Sequence, residues 1–235
     1  MRFLGTGPAG GRPGRGRSRR TESSLAIADG GSTILVDVTR DFAAQARHLD
    51  TVDLVLITHA HRDASGGVAR LARWLAGRPV PLWSAPATID ALARRYRRLA
   101  PLELRAVRRP RRWRDFAIAP LVVPHALDCT TLAWRIARAG RTLVYASDVA
   151  RLGARLAALS AGCDLLVLDG ACWKRRIFTH LEIASAARIV AGWQVGRVRF
   201  TQLGRSTPDH AELDRWLRAF DPRFGAAHDG LEITL

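Results

Sequence analysis

One apolar run that ends in a histidine cluster constrains this chain more than any other feature. Leu54, Val55, Leu56 and Ile57 have the length and composition of a buried strand in a layered sheet, and the run stops at Thr58. His59, His61 and Asp63 then follow at two-residue steps, with Gly66 and Gly67 behind them. Residues two apart in an extended or looping backbone point to the same side, so these two imidazoles and the carboxylate can converge on one ion. Neutral imidazole suits zinc, iron, nickel or copper, and an added carboxylate can bridge to a second ion or hold a water.

At these residues the sequence resembles the metallo-β-lactamase superfamily, whose signature is HxHxDH after a hydrophobic strand. THAHRDASGG matches at His59, His61 and Asp63, while Ala64 stands where the last histidine would be. The resemblance implies an α/β fold, the four-layer αββα sandwich, and a metal-dependent hydrolase. The 235 residues fit a single domain over 1–235, without a repeat or long linker.

Met1 to Gly5 is too short an apolar run for a secretory segment, and no stretch approaches the roughly 20 apolar residues of a membrane span. The expectation is a soluble, cytoplasmic protein with no membrane partner. Cys129, Cys163 and Cys172 form no paired framework and no CxxC, in keeping with a reducing compartment. A formal charge of +16 invites a nucleic-acid or anionic partner. Yet Lys174 is the only lysine in a chain rich in Ala, Arg and Gly, a bias that genome composition alone could produce. The arginines at 94–98 and 105–114 read as solvated faces, with only Tyr96 and Trp113 among them to stack on bases.

Arg2-Phe3-Leu4 reads as a first strand entering a glycine loop, which runs to Arg20 and should be mobile or ordered by an anionic ligand. FLGTG is similar to the opening of ribonuclease Z and of the cyclic-phosphate phosphodiesterase of phosphonate breakdown. The cysteines that hold a structural zinc after this point in the latter are absent here. Residues 23–28 and 33–37 read as paired strands about Asp29-Gly30-Gly31. Asp37 then either caps the next helix or, as the resemblance implies, orients a ligand histidine through its second nitrogen. Strands and helices alternate from there on, as in an α/β sandwich.

LVVPHAL delivers His125 after a strand, and a hairpin over 131–146 ends at Ser147-Asp148. The resemblance makes His125 the third histidine ligand and Asp148 the metal-bridging carboxylate. ACWKRRIF carries Lys174, Arg175 and Arg176 toward Thr179-His180-Leu181-Glu182. That tetrapeptide reads as a capping box, with Thr179 as N-cap and a neutral His180 in the first turn. By resemblance, His180 would lie at a leaving oxygen or phosphate. A strand at 198–201 is followed by Gln202, where relatives carry a histidine for the second metal. Pro208 opens the last helix, through Phe220. A hairpin over 224–235 closes the chain, with His228 near its turn as a substrate-side or structural residue.

Alanine donates nothing, and an amide oxygen is a poor zinc ligand. One ion is therefore expected on His59, His61, His125 and Asp148, zinc first and manganese or iron as alternatives. A second ion would be weak or absent, carried by Asp63, Asp148 and Gln202. Asp63 would orient or deprotonate the attacking water, and His180 would protonate the leaving oxygen. Lys174, Arg175, Arg176 and the loop from Arg12 to Arg20 would neutralise phosphate charge. Three functions stay open: a hydrolase of small cyclic or nucleotide-containing phosphodiesters, an RNA endonuclease, and a non-catalytic member that binds a nucleotide or metabolite. A homodimer is compatible with each.

Overall fold

Two sheets divide the chain almost at its midpoint. A computed structural model describes residues 1–175 and 177–235. The first sheet orders β1 (Arg2–Gly5), β2 (Ser24–Asp29), β3 (Ser32–Val36), β4 (Leu54–Leu56), β5 (Val80–Ser84) and β6 (Leu102–Ala106) as they occur in sequence. Helices α1 (Phe42–Gln45), α2 (Arg62–Ser65), α3 (Val68–Trp74) and α4 (Pro86–Arg95) connect its parallel part. The second sheet comprises β7 (Arg111–Trp113), β8 (Phe116–Val123), β9 (Thr131–Arg138), β10 (Arg141–Ala146), β11 (Leu165–Asp169), β12 (Arg197–Thr201) and β13 (Phe224–Ala226), again neighbours in sequence order. Its helices are α5 (Ala154–Ser160), α6 (Ile183–Val190) and α7 (His210–Phe220).

Strand alternation sets the layers. Leu54 and Leu56 of β4 face Trp134, Tyr145, Leu165 and Val167 in the core between the sheets. Val55, one step away, packs with Val68, Leu71 and Leu92 of the outer helices. In the second sheet Leu166 and Leu168 turn outward onto Ile183, Leu213 and Leu217. Both faces of the central strands are thus covered, which is why they read as continuous apolar runs. The result is helix, sheet, sheet, helix: the αββα sandwich. No helix among the described residues is long and apolar enough to cross a membrane.

The turn at Asp29-Gly30-Gly31 forms as expected. Gly30 and Gly31 both take positive φ, 57° and 75°, the backbone a two-residue hairpin demands. Two other expectations fail. The loop from Gly7 to Arg20 is ordered by its own arginines. Arg20 is buried and donates to Thr6 Oγ1 at 2.8 Å, while Arg12 donates to Thr207 Oγ1 at 2.7 Å. These two guanidinium groups are engaged by protein oxygens. Nor does the chain close in a hairpin: β13 pairs parallel with β12, and the last residues run beside β1, Ile233 N donating to Met1 O at 3.0 Å.

Candidate metal centre

Side chains from both sheets meet where strands end. Asp37 follows β3, Thr58 and His59 follow β4, His125 follows β8, Ser147 and Asp148 follow β10, Asp169 ends β11, and Gln202 follows β12. The C-terminal edge of parallel strands is where open α/β sheets place ligands. Gly67 lets the loop after β4 fold back, since a Cβ there would lie 2.1 Å from Thr39 O.

The three expected histidines come together. Ring centroids are 4.7 Å apart for His59 and His61, 5.0 Å for His59 and His125, and 5.5 Å for His61 and His125. One nitrogen of each lies within 4.8 Å of the others. Each ring is fixed through its other nitrogen. Thr58 Oγ1 is 2.9 Å from His59 Nδ1, Asp128 Oδ1 is 3.1 Å from His61 Nε2, and Thr179 O accepts from His125 Nδ1 at 2.7 Å. That leaves His59 Nε2, His61 Nδ1 and His125 Nε2 for an ion. His59 Nε2 is buried and has no hydrogen-bond partner among the described residues, a costly state that a cation would relieve. The donor set fits a four-coordinate zinc.

Asp37 reaches this cluster differently from the expectation. Its Oδ1 accepts from Thr58 N at 2.8 Å and from Thr58 Oγ1 at 3.0 Å, so Thr58 stands between it and His59. It caps no helix. Asp128 and Cys129, three and four residues after His125, flank His61 instead. Neither was singled out from the sequence, although an acid so soon after a ligand histidine was the available signal.

Asp148 is buried beside His125, with Oδ1 4.0 Å from Nε2. Gln202 Nε2 donates to that Oδ1 at 2.6 Å, and Ser147 Oγ donates to Oδ2 at 2.6 Å. Burial opposes its charge, but the imidazoles of His59, His180 and His125 outweigh burial and hold the carboxyl at about 2. Gln202 thus places an amide donor against the carboxylate oxygen. Its Oε1 is buried without a partner among the described residues. Ala64 is buried and offers no ligand. Burial and the Asp148 charge push Asp63 upward.

His180 departs from the expected helix start. Glu182 itself is the N-cap of α6, accepting from Ala184 N and Ser185 N, while Thr179 lies in the tight turn that residues 177–180 close and its carbonyl accepts from His125. His180 Nδ1 lies 2.7 Å from Asp169 Oδ2, and this ring packs 4.9 Å from His125. Burial disfavours its charge, yet Asp169 and then Asp148 raise it to about 9, the reverse of the neutral state expected. One ligand atom each from His125, Asp148 and His180 lies within 4.8 Å of the others.

A cleft of about 400 Å³ opens here, lined by Ala9, Arg40, His61, Arg62, Asp63, His125, Ala126, Thr179 and His180. Its arginines are ones the sequence did not single out. Arg40 is anchored by Glu22, a buried carboxylate that also accepts from Gly10 N at 2.8 Å. Lys174 and Arg175 are exposed and are not among the cleft-lining residues; Arg176 lies outside the described residues. His228 stacks edge-on against His210 at 5.1 Å, away from the cleft.

The family described as the beta-lactamase superfamily domain matches residues 32–201, most of the chain and all the strand ends just described except the position of Gln202. The chain belongs to this superfamily. Over 233 residues it is 26% identical to a Porphyromonas gingivalis protein named octanoyltransferase, a match covering 92% of this chain and 45% of the relative. The chain therefore spans about half the length of the curated relative it matches. As a superfamily member it superposes on a diphosphatase of the PhnP family (TM-score 0.87, 24% identity, 100% of this chain and 96% of the other). Zinc-bound PqqB from Methylobacterium extorquens follows (0.85, 21%, 100% and 99%), as does the short form of human tRNase Z (0.75, 16%, 99% and 98%). At these identities the solved structures establish the shared fold.

Proposed function

We propose that the chain is a metal-dependent hydrolase of phosphodiesters. The observation that carries the reading is the set of three converging imidazoles, each held through one nitrogen, with His59 Nε2 buried and unpartnered among the described residues, beside an ionised Asp148. His59, His61, His125 and Asp148 would hold one ion, zinc best matching the donors. Such an ion supplies a water of lowered pKa and polarises a phosphoryl oxygen.

The remaining residues then have separable tasks. Asp63, on the cleft wall, accepts the proton of the attacking water, and burial with the Asp148 charge makes its carboxylate more basic than a free one. His180, held protonated by Asp169, gives its proton to the leaving oxygen. Arg40, fixed by Glu22, and Arg62 neutralise the phosphate. A second ion at Asp63, Asp148 and Gln202 is disfavoured because the Gln202 amide already engages Asp148. The diphosphatase and tRNase Z neighbours support phosphate chemistry on this fold.

The octanoyltransferase relative favours a second reading, hydrolysis of an acyl ester by the same machinery. Assays of the zinc-loaded protein with bis-p-nitrophenyl phosphate and p-nitrophenyl octanoate separate the two. Cleavage of the diester with little action on the octanoate is expected; the reverse preference would replace the first reading with the second. Loss of both activities in a metal-loaded protein would leave a binding module.

A further inference from the structure

A second groove shares a wall with the candidate metal centre. It has a volume of about 300 Å³ and is lined by Pro124, Ala126, Leu127, Ala150, Ile177 and Phe178, together with His125 and Arg151. His125 and Ala126 line the cleft at the metal centre as well, so the two spaces lie side by side across a shared wall. Leu127 and Phe178 are fully exposed, and Ile177 is 38% exposed. Among the described residues these are three of six exposed large hydrophobic side chains, gathered in the groove that His125 also lines.

The walls are held in place. Phe178 sits at the tip of the turn closed between Ile177 and His180, and Leu127 is two residues beyond His125. The bond from His125 Nδ1 to Thr179 O ties the two loops together at 2.7 Å. The groove is therefore built by the residues that fix the metal-facing histidine.

Resting on the hydrolase reading above, we propose that this groove takes a medium-length alkyl chain of the substrate, whose ester group lies at the metal centre. Apart from His125, whose Nδ1 is taken by Thr179 O, the lining is apolar, with Arg151 its one charged side chain. A nucleobase would need hydrogen-bonding groups for its edges in addition to the one aromatic face that Phe178 offers. An alkyl chain needs neither, and gains with each methylene removed from water. The substrate class is an amphiphilic ester, with a charged head on Arg40 and Arg62 and an aliphatic tail against Leu127, Ile177 and Phe178.

The test is a series of p-nitrophenyl alkyl phosphodiesters, methyl, butyl and octyl, with the thymidine diester as the nucleotide arm. In the zinc-loaded wild type, kcat/KM should rise about two- to fourfold per methylene until the groove is filled. A Leu127→Ser/Phe178→Ser variant should flatten the series. A flat series in an active wild type, or a thymidine diester faster than the octyl one, would overturn the alkyl groove and leave the hydrolase reading standing. If no diester is cleaved, the hydrolase reading fails, and calorimetry with octyl phosphate against methyl phosphate decides the groove by itself. Tighter octyl binding that the double variant loses supports it; equal binding overturns it. A dimer in the wild type that the double variant converts to monomer, with no chain-length effect, would assign the face to a second copy and also overturn it.

Discussion

Asp169 Oδ2 lies 2.7 Å from Nδ1 of His180, with Val149 N donating to the same oxygen at 2.9 Å and Ala171 N to Oδ1 at 2.9 Å. The carboxylate is buried and cannot swing, so the ring it holds is fixed in tautomer and direction. Asp169→Asn keeps the shape but removes the charge that raises His180. The expected result is a fall in kcat of about 100-fold with little change in KM. The loss should shrink for substrates with better leaving groups, read by comparing p-nitrophenyl with phenyl diesters.

Arg40 is expected to act through geometry as well as charge, since Glu22 fixes its guanidinium from one side. Arg40→Lys retains the charge and loses the planar fork. KM for a phosphodiester should rise about tenfold with kcat largely kept, equivalent to about 1.4 kcal/mol of uniform binding.

Much of this arrangement was legible in the sequence because strand ends and spacing carry it. The apolar run at 54–57 marks the central strand, and the two-residue step from His59 to His61 marks two imidazoles that come together. The departures have physical causes. Thr179 fits the local pattern of an N-cap, a hydroxyl three residues before Glu182; in the fold it lies inside the turn closed between Ile177 and His180, and Glu182 caps the helix. The arginines of the first loop were expected to meet phosphate, but Arg20 is buried among Thr6, Ala227 and His210, contacts more than ten residues away in sequence. Arg40 and Glu22 were passed over because no local pattern marks a pair eighteen residues apart.

Stability should depend on pH through a site remote from the metal centre. Burial, then Arg20 and His228, depress His210 to about 4, against 6.5 for the free side chain. The unfolded chain then binds this proton first, so the contribution is fully present above about pH 6.5 and is lost as pH falls toward 4. The loss amounts to about 3 kcal/mol over that window. Urea unfolding at pH 7 and pH 4.5 should show it, and His210→Gln should lose less between the two.

Ala64 and Gln202 should together set the number of ions. Ala64→His/Gln202→His supplies two imidazoles and removes the amide donor from Asp148 Oδ1. Bound zinc should rise from about one equivalent toward two. A double variant that still holds one would mean that the backbone at Gln202, with φ at 58°, cannot present a ligand there.

The most direct test of the account is the zinc content of the purified chain, with His59→Ala beside it. His59 Nε2 is a buried ring nitrogen left without a partner among the described residues. About one zinc per wild-type chain is predicted, with loss of the metal and of diesterase activity together in the variant. Zinc retained in His59→Ala at the wild-type level, with activity intact, would contradict the assignment of the centre.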